Sequence, residues 1–163
     1  MNRIVLLEQL KEHSQEAVKD LIMPIRMQKG DKEQEYRAAE IYLMRLPDST
    51  AAQKKAPYII HQLINGRDDQ NEGENEKSSA VIRSIFCVYC DNEEEGSLML
   101  INLMERLRIS LLRGRIIGGV FELDLGAGLE TLVYPEDTAP YYVGEMVSTW
   151  KVPAIKREVA QWL

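Results

Sequence analysis

The stretch Ala80-Val81-Ile82-Arg83-Ser84-Ile85-Phe86-Cys87-Val88-Tyr89-Cys90-Asp91 decides the fold. Side chains along a β-strand alternate between its two faces. Here one face carries Val81, Arg83, Ile85, Cys87 and Tyr89, and the other carries Ile82, Ser84, Phe86, Val88 and Cys90. Both faces are largely apolar, so the segment reads as a central strand covered on both sides. The period then changes. An acidic turn over Asp91–Gly96 contains Glu93, Glu94 and Glu95. After it, Leu100, Leu103, Met104, Leu107 and Leu111 recur at helical spacing, which predicts a helix over Ser97–Arg113 with Gly114 as its stop. The acids precede this helix and Arg106, Arg108 and Arg113 lie in its second half, an order that complements the helix dipole.

Working outward, Asn2 to about Ile22 has a second helical stripe: Val5, Leu6, Gln9, Leu10, His13, Ala17, Val18 and Leu21. Asn2 suits the N-cap, and Pro24 is expected to stop the helix. Gln28–Glu35 is polar, with Gly30-Asp31 as a turn. Ala38–Leu46 and Pro57–Ile64 read as strands, the second followed by Asn65-Gly66 as a turn. Asp68–Lys77 holds five acids against one base and reads as a mobile loop. Beyond the central helix, strands are expected over Ile116–Leu125, Glu130–Tyr134 and Tyr141–Trp150, with Gly126-Ala127-Gly128 as a turn and Pro153 opening a short C-terminal helix. Short turns rather than crossover helices join the strands. The expectation is an α+β fold: a mostly antiparallel sheet packed against an N-terminal and a central helix. Residues 1–163 form one domain in this reading, with residues 67–78 as its mobile acidic loop.

A chain of 163 residues buries roughly 68–70% of its unfolded surface, so no metal or disulfide staple is needed. Twenty Lys and Arg against 26 Asp and Glu leave a net charge of −6. That balance argues against a general nucleic-acid binder, so no sequence-specific nucleic-acid partner is expected, and against an anionic membrane surface. The apolar run Ile4-Val5-Leu6-Leu7 is cut short by Glu8, without a small-residue cleavage site, so a signal peptide is not expected. Apolar runs reach four to six residues, far below the roughly 18 needed to span a bilayer. A cytosolic protein with reduced cysteines is expected.

Few residues suggest chemistry. Cys87-x-x-Cys90 has redox or zinc spacing, but three residues along a strand put the thiols on opposite faces, and no second pair completes a zinc site. Inert buried cysteines are the better reading. His13 and His61 fall on different elements without a nucleophile motif beside either. Gly126-x-Gly128 precedes a strand, so it reads as a hairpin turn, and Gly118-Gly119 suggests a bulge or a close backbone approach. Asp68, Asp69, Glu72, Glu74 and Glu76 lack the pattern of a calcium loop. No catalytic residue, cofactor or metal ligand is assigned. Arg106, Arg108, Arg113 and Arg115 either solvate a helix end, meet phosphate, or meet the acidic loop of a neighbouring copy.

Between Ser79 and Glu158 the combination of motifs carries more than any one of them. Val-Tyr-Cys-Asp leads to Gly96 and the Leu-Met-Glu-Arg-Leu-Arg helix. Ile-Gly-Gly-Val-Phe-Glu-Leu, Tyr-Pro-Glu-Asp-Thr-Ala-Pro-Tyr-Tyr-Val-Gly-Glu-Met and Thr-Trp-Lys-Val-Pro follow. This half of the chain resembles tail-completion proteins of tailed bacteriophages and prophages, of the tail terminator type. The resemblance implies a non-enzymatic virion subunit, assembled in the bacterial cytoplasm, that forms a ring, typically a hexamer. Such a ring caps the tail tube, stops its polymerisation and presents a surface to the head–tail connector protein. Its partners would be copies of itself, the tail tube protein, the connector and, in contractile tails, the sheath protein. Arg106, Arg108, Arg113, Arg115, Asp68, Asp69, Tyr141, Tyr142 and Trp150 are the candidate contacts of such an interface.

Other readings stay open: a head–tail connector or baseplate-side tube component, a hydrolase using His61 or Cys87, and a regulatory module binding through Asp68–Lys77. The charge is also uneven, with −6 on residues 67–96, +3 on residues 97–116 and −4 on residues 117–163. Opposite-sign patches of this kind steer association more than they add affinity.

Overall fold

A computed structural model describes residues 2–47, 55–135 and 138–158. Its order is α1 (Arg3–Val18), β1 (Ile22–Pro24), β2 (Tyr36–Ala38), β3 (Glu40–Leu43), β4 (Tyr58–Asp69), β5 (Lys77–Tyr89), α2 (Glu93–Gly114), β6 (Ile116–Ile117), β7 (Phe121–Leu123), β8 (Glu130–Val133) and β9 (Tyr141–Val152). The fold is α+β. Seven strands form one sheet in the order β3-β4-β5-β9-β7-β6, with β8 also paired to β9; β1 and β2 form a separate ribbon. Pairing is antiparallel except between β3 and β4, which are parallel. The stretch that decided the fold is where its two apolar faces put it: β5 lies between β4 and β9 for nearly its whole length.

One face of the sheet is covered by both helices. Leu6, Leu10 and Val18 of α1 and Leu100, Leu103, Leu107 and Leu111 of α2 share a core with Ala80, Ile82, Phe86 and Val88 of β5 and Met146 and Trp150 of β9. The other face is covered at one end only. There Leu46, Ala56, Tyr58, Ile60, Cys87, Tyr89 and Tyr141 form a second, smaller core. Among the described residues no helix is long and apolar enough to cross a membrane.

Several boundaries differ from expectation for local reasons. Asn2 does cap α1, its Oδ1 accepting from the N–H groups of Ile4 and Val5 at 3.1 Å each. The helix ends at Val18, before Pro24, which instead closes β1. Its buried stripe takes in Leu7 and Ser14, while Val5 and Gln9 lie at the margin. The single strand expected over Ala38–Leu46 is two short ones in different sheets. Asn65-Gly66 is no turn: the register slips by one residue between Leu63 and Asn65, a β-bulge, and β4 continues to Asp69. Asp68 and Asp69 are therefore paired strand residues, opposite Ser78 and Lys77, and the connection between β4 and β5 is only residues 70–76.

Helix α2 starts earlier than expected, at Glu93, so the three acids lie inside its first turn rather than before it. Asn92 is the cap, accepting from the Glu95 N–H at 3.1 Å. Gly114 is the last helical residue, and Arg115 takes the left-handed position at φ 57°. Ile116–Leu125 is a hairpin, not one strand: Ile117 pairs with Phe121, and Gly118 and Gly119, at φ 57° and 73°, turn the three-residue loop 118–120 between them. Residues 153–158 carry no helix, contrary to the reading of Pro153, and residues 159–163 lie outside the described residues.

Gly96 has a packing role that sequence pattern did not reveal. A Cβ at this buried helical position would sit 2.2 Å from a ring carbon of Tyr142 on β9. Replacing a helical glycine by alanine ordinarily gains about 1 kcal/mol. Overpacking costs about 1–3 kcal/mol. Gly96→Ala is therefore expected to destabilise, as read by urea unfolding, and Gly96→Ala combined with Tyr142→Leu to recover part of the loss. A more stable Gly96→Ala would contradict this packing.

Candidate functional site

The residues that suggested chemistry are inside the fold. His61 on β4 is fully buried between Ser14 of α1 and Ser84 of β5, with Nε2 2.7 Å from Ser14 Oγ and Nδ1 2.7 Å from Ser84 Oγ. The Ser14 hydroxyl donates to the Leu10 carbonyl at 2.7 Å. That commits its only proton, so His61 Nε2–H donates to Ser14 Oγ and the Ser84 hydroxyl donates to Nδ1. Every group in the chain is satisfied, and the imidazole is neutral. Burial is the main cause that pushes its pKa down, to about 3, with the nearby His13 adding to the effect. This is a polar clamp joining α1, β4 and β5. A serine and a histidine are in contact, but neither reaches solvent.

His13 has a partner of its own, with Nε2 2.8 Å from Ser110 Oγ, which ties α1 to α2. Cys87 is fully buried in the second core, and burial raises its thiol pKa to about 11, only partly offset by a hydrogen bond with Tyr58. A thiol held protonated and shielded is a poor nucleophile. Cys90 is free and buried as well. These placements count against a hydrolase built on His61 or Cys87. Among the described residues, no group of three or more His, Cys, Asp or Glu side chains is placed to hold a metal ion.

The expected interface residues divide into two sets. Trp150 is fully buried, its Nε1–H donating to Ser148 Oγ at 2.9 Å. Tyr141 is buried against Tyr89, with ring centroids 5.5 Å apart, and accepts from Arg26 Nη1 at 3.1 Å. Tyr142 is half-buried against Gly96. Tyr141 and Trp150 cover the sheet of their own chain, which corrects their reading as material offered to a partner, while Tyr142 keeps part of its surface exposed. The reason is register: Trp150 falls on the same face of β9 as Met146, under the helices.

The charged residues are at the surface. Arg106, Arg113 and Arg115 are exposed, and Arg108 pairs with Glu105 at 3.0 Å. Asp68 and Asp69 are less available than expected. Asp68 accepts from Ser78 and from Arg3 Nη2, the latter at 3.2 Å, and these two hydrogen bonds, Ser78's first, hold its carboxyl below the ordinary range. Asp69 pairs with Arg67 at 2.9 Å. A groove of about 600 Å³ runs beside this hairpin, lined by Asp69, Glu76, Lys77, Asp124 and Lys151 among others.

Two surfaces were missed by the sequence reading. One is the outward side of α2, where Leu98, Ile101 and Ile109 are 60%, 42% and 41% exposed. The other is the uncovered half of the sheet. Cross-strand register puts Val81, Arg83 and Ile85 of β5 on one surface with Glu145 and Val147 of β9 and Glu130 and Leu132 of β8. A helical-wheel count of the second apolar stripe on α2 would have found the first. The second needed the pairing of β8 with β9. No protein-family model matches this chain, and no curated protein matches it.

Proposed function

We propose that this protein is a structural subunit of a phage or phage-like tail, capping the tail tube as a ring of its own copies and offering a joining surface to the head–tail connector. The observation that supports this reading is the run of motifs between Ser79 and Glu158, whose elements are neighbours in space. β5 pairs with β9, β9 pairs with β7 and β8, and α2 packs on β5 and β9. The motifs thus belong to one packed unit and not to scattered surface segments. The α+β fold agrees with what the resemblance implies. The burial of His61 and Cys87 removes the residues on which a hydrolase reading rested.

In this role the subunit's partners are its own copies, the tube protein, the connector and, in a contractile tail, the sheath protein. The acidic tip at residues 70–76, if turned towards the ring's opening, would repel passing DNA instead of holding it. The first test is position. A tagged copy, visualised by gold labelling on purified particles, is expected at the head-proximal end of the tail. Label at the baseplate end would replace this reading with a tube-tip component, and label in the neck alone would replace it with a connector.

A further inference from the structure

The domain has two layers, helices on sheet, and part of the second sheet face, where Val81, Val147 and Leu132 lie among Arg83, Glu130 and Glu145, has no covering element among the described residues. The uncovered part of β5 runs from Ser79 to Arg83, about 13 Å at strand rise, with Val147 and Leu132 beside it, and ends where Ile85 packs against the second core. Leu132 is 52% exposed. What that surface lacks is a helix. The outward ridge of α2 runs from Leu98 past Ile101 to Ile109, and about 22 Å of helix separates Leu98 from Arg113. The ridge is interrupted by exposed Asn102 and by Glu105, the latter already paired with Arg108.

We propose that the bare half-sheet of one copy is covered by the α2 ridge of the next copy. Charge fixes the direction. The Ser79 end of the bare half leads into the acidic β4–β5 tip, where Glu72 and Glu76 form no ion pair among the described residues. The C-terminal end of the α2 ridge carries Arg113 and Arg115, also without an ion pair among the described residues. Laying α2 antiparallel to β5 brings the bases of one copy to the acids of the other. The same direction lays the ridge over Leu132 and Val147. Arg83 shares this face, but its Nε and Nη2 both donate to Gln62 Oε1, at 3.1 and 2.9 Å, so it does not oppose the approach as a free cation. The contact joins two different surfaces, so it is head-to-tail, and copies joined this way propagate until a ring closes. This inference gives the ring proposed above its contact surfaces.

The test uses the full chain in analytical ultracentrifugation, with circular dichroism to verify folding. Wild type is expected to associate beyond the dimer. Ile109→Glu spoils the ridge and Leu132→Arg spoils the bare sheet, so each variant alone is expected to be monomeric. An equimolar mixture of the two retains one good surface on each partner and is expected to form a dimer and nothing larger. Reversing Arg113 and Arg115 to glutamate is expected to weaken association, most at low salt, and Glu72→Lys with Glu76→Lys to restore it. A monomeric wild type, variants that associate like wild type, or a mixture that stays monomeric would each overturn the proposal. Tail length in particles separates this contact from the function. Association by these surfaces with unchanged tails on deletion would keep the contact and end the capping reading. Tails that need the protein yet tolerate both variants would do the opposite.

Discussion

Acidification from about pH 7 to about pH 4 is expected to weaken this fold steeply, because of one buried histidine. The folded pKa of His61 is about 3 against an ordinary 6.5. Between those values the unfolded chain binds a proton that the folded chain refuses. Stability is therefore fully present above 6.5 and falls as the pH drops below it, by about 1.4 kcal/mol per pH unit, levelling only near the folded pKa. Across the whole interval that is of the order of 5 kcal/mol. His13, its pKa also lowered by burial, adds in the same direction. Asp68 acts only at lower pH, since its folded pKa lies below 3.8 and its contribution is lost on falling through that range. Urea unfolding of wild type and His61→Leu across this range separates the terms. The variant is less stable near neutrality, because Ser84 loses its acceptor at a cost of about 1–3 kcal/mol. Its curve is expected to be flatter between pH 6.5 and about 4. An unchanged slope would show that His61 is not the group responsible.

Trp150→Ala is expected to cost about 3–5 kcal/mol, a large part of the 5–15 kcal/mol that holds a domain together. The indole is fully buried under the helices with Phe121 and Met146, and its removal also leaves Ser148 Oγ without its donor. The measurement discriminates between two readings of the residue. A tryptophan waiting for a partner would leave the isolated chain as stable as before and reduce assembly alone. A core tryptophan lowers the urea midpoint of the monomer itself, and that is the expected result. Ile109→Glu is the contrasting case, with little effect on the monomer because the side chain it replaces already faces solvent.

Sequence signals differ in what they measure, and the fold shows which of them are local. Alternation along Ala80–Asp91 reports burial on two faces, and that placed β5 correctly at the centre of the sheet. The 3.6-residue period found both helices and the cap at Asn2, because helix signals are local. Breaker residues were less dependable. Asn65-Gly66 has the composition of a turn, yet pairing with Val81 and Ala80 holds it in a strand as part of a bulge. Gly114 looks like the helix stop, while Arg115 adopts the left-handed conformation beside it. Asp68 and Asp69 seemed loop acids until pairing with β5 drew them into the sheet. The candidate interface was least legible. Aromatic content at Tyr141, Tyr142 and Trp150 does not say which face of a strand is covered, and that depends on the long-range register between β5 and β9. The bare half-sheet is a property of three strands from distant parts of the chain, so no local pattern announces it.

The capping role is tested most directly by tail length in particles that lack this protein. Electron micrographs of a deletion lysate are expected to show tails of uncontrolled length without heads, and complementation with the wild-type chain to restore uniform, head-joined tails. Tails of normal length joined to heads in the deletion would contradict it.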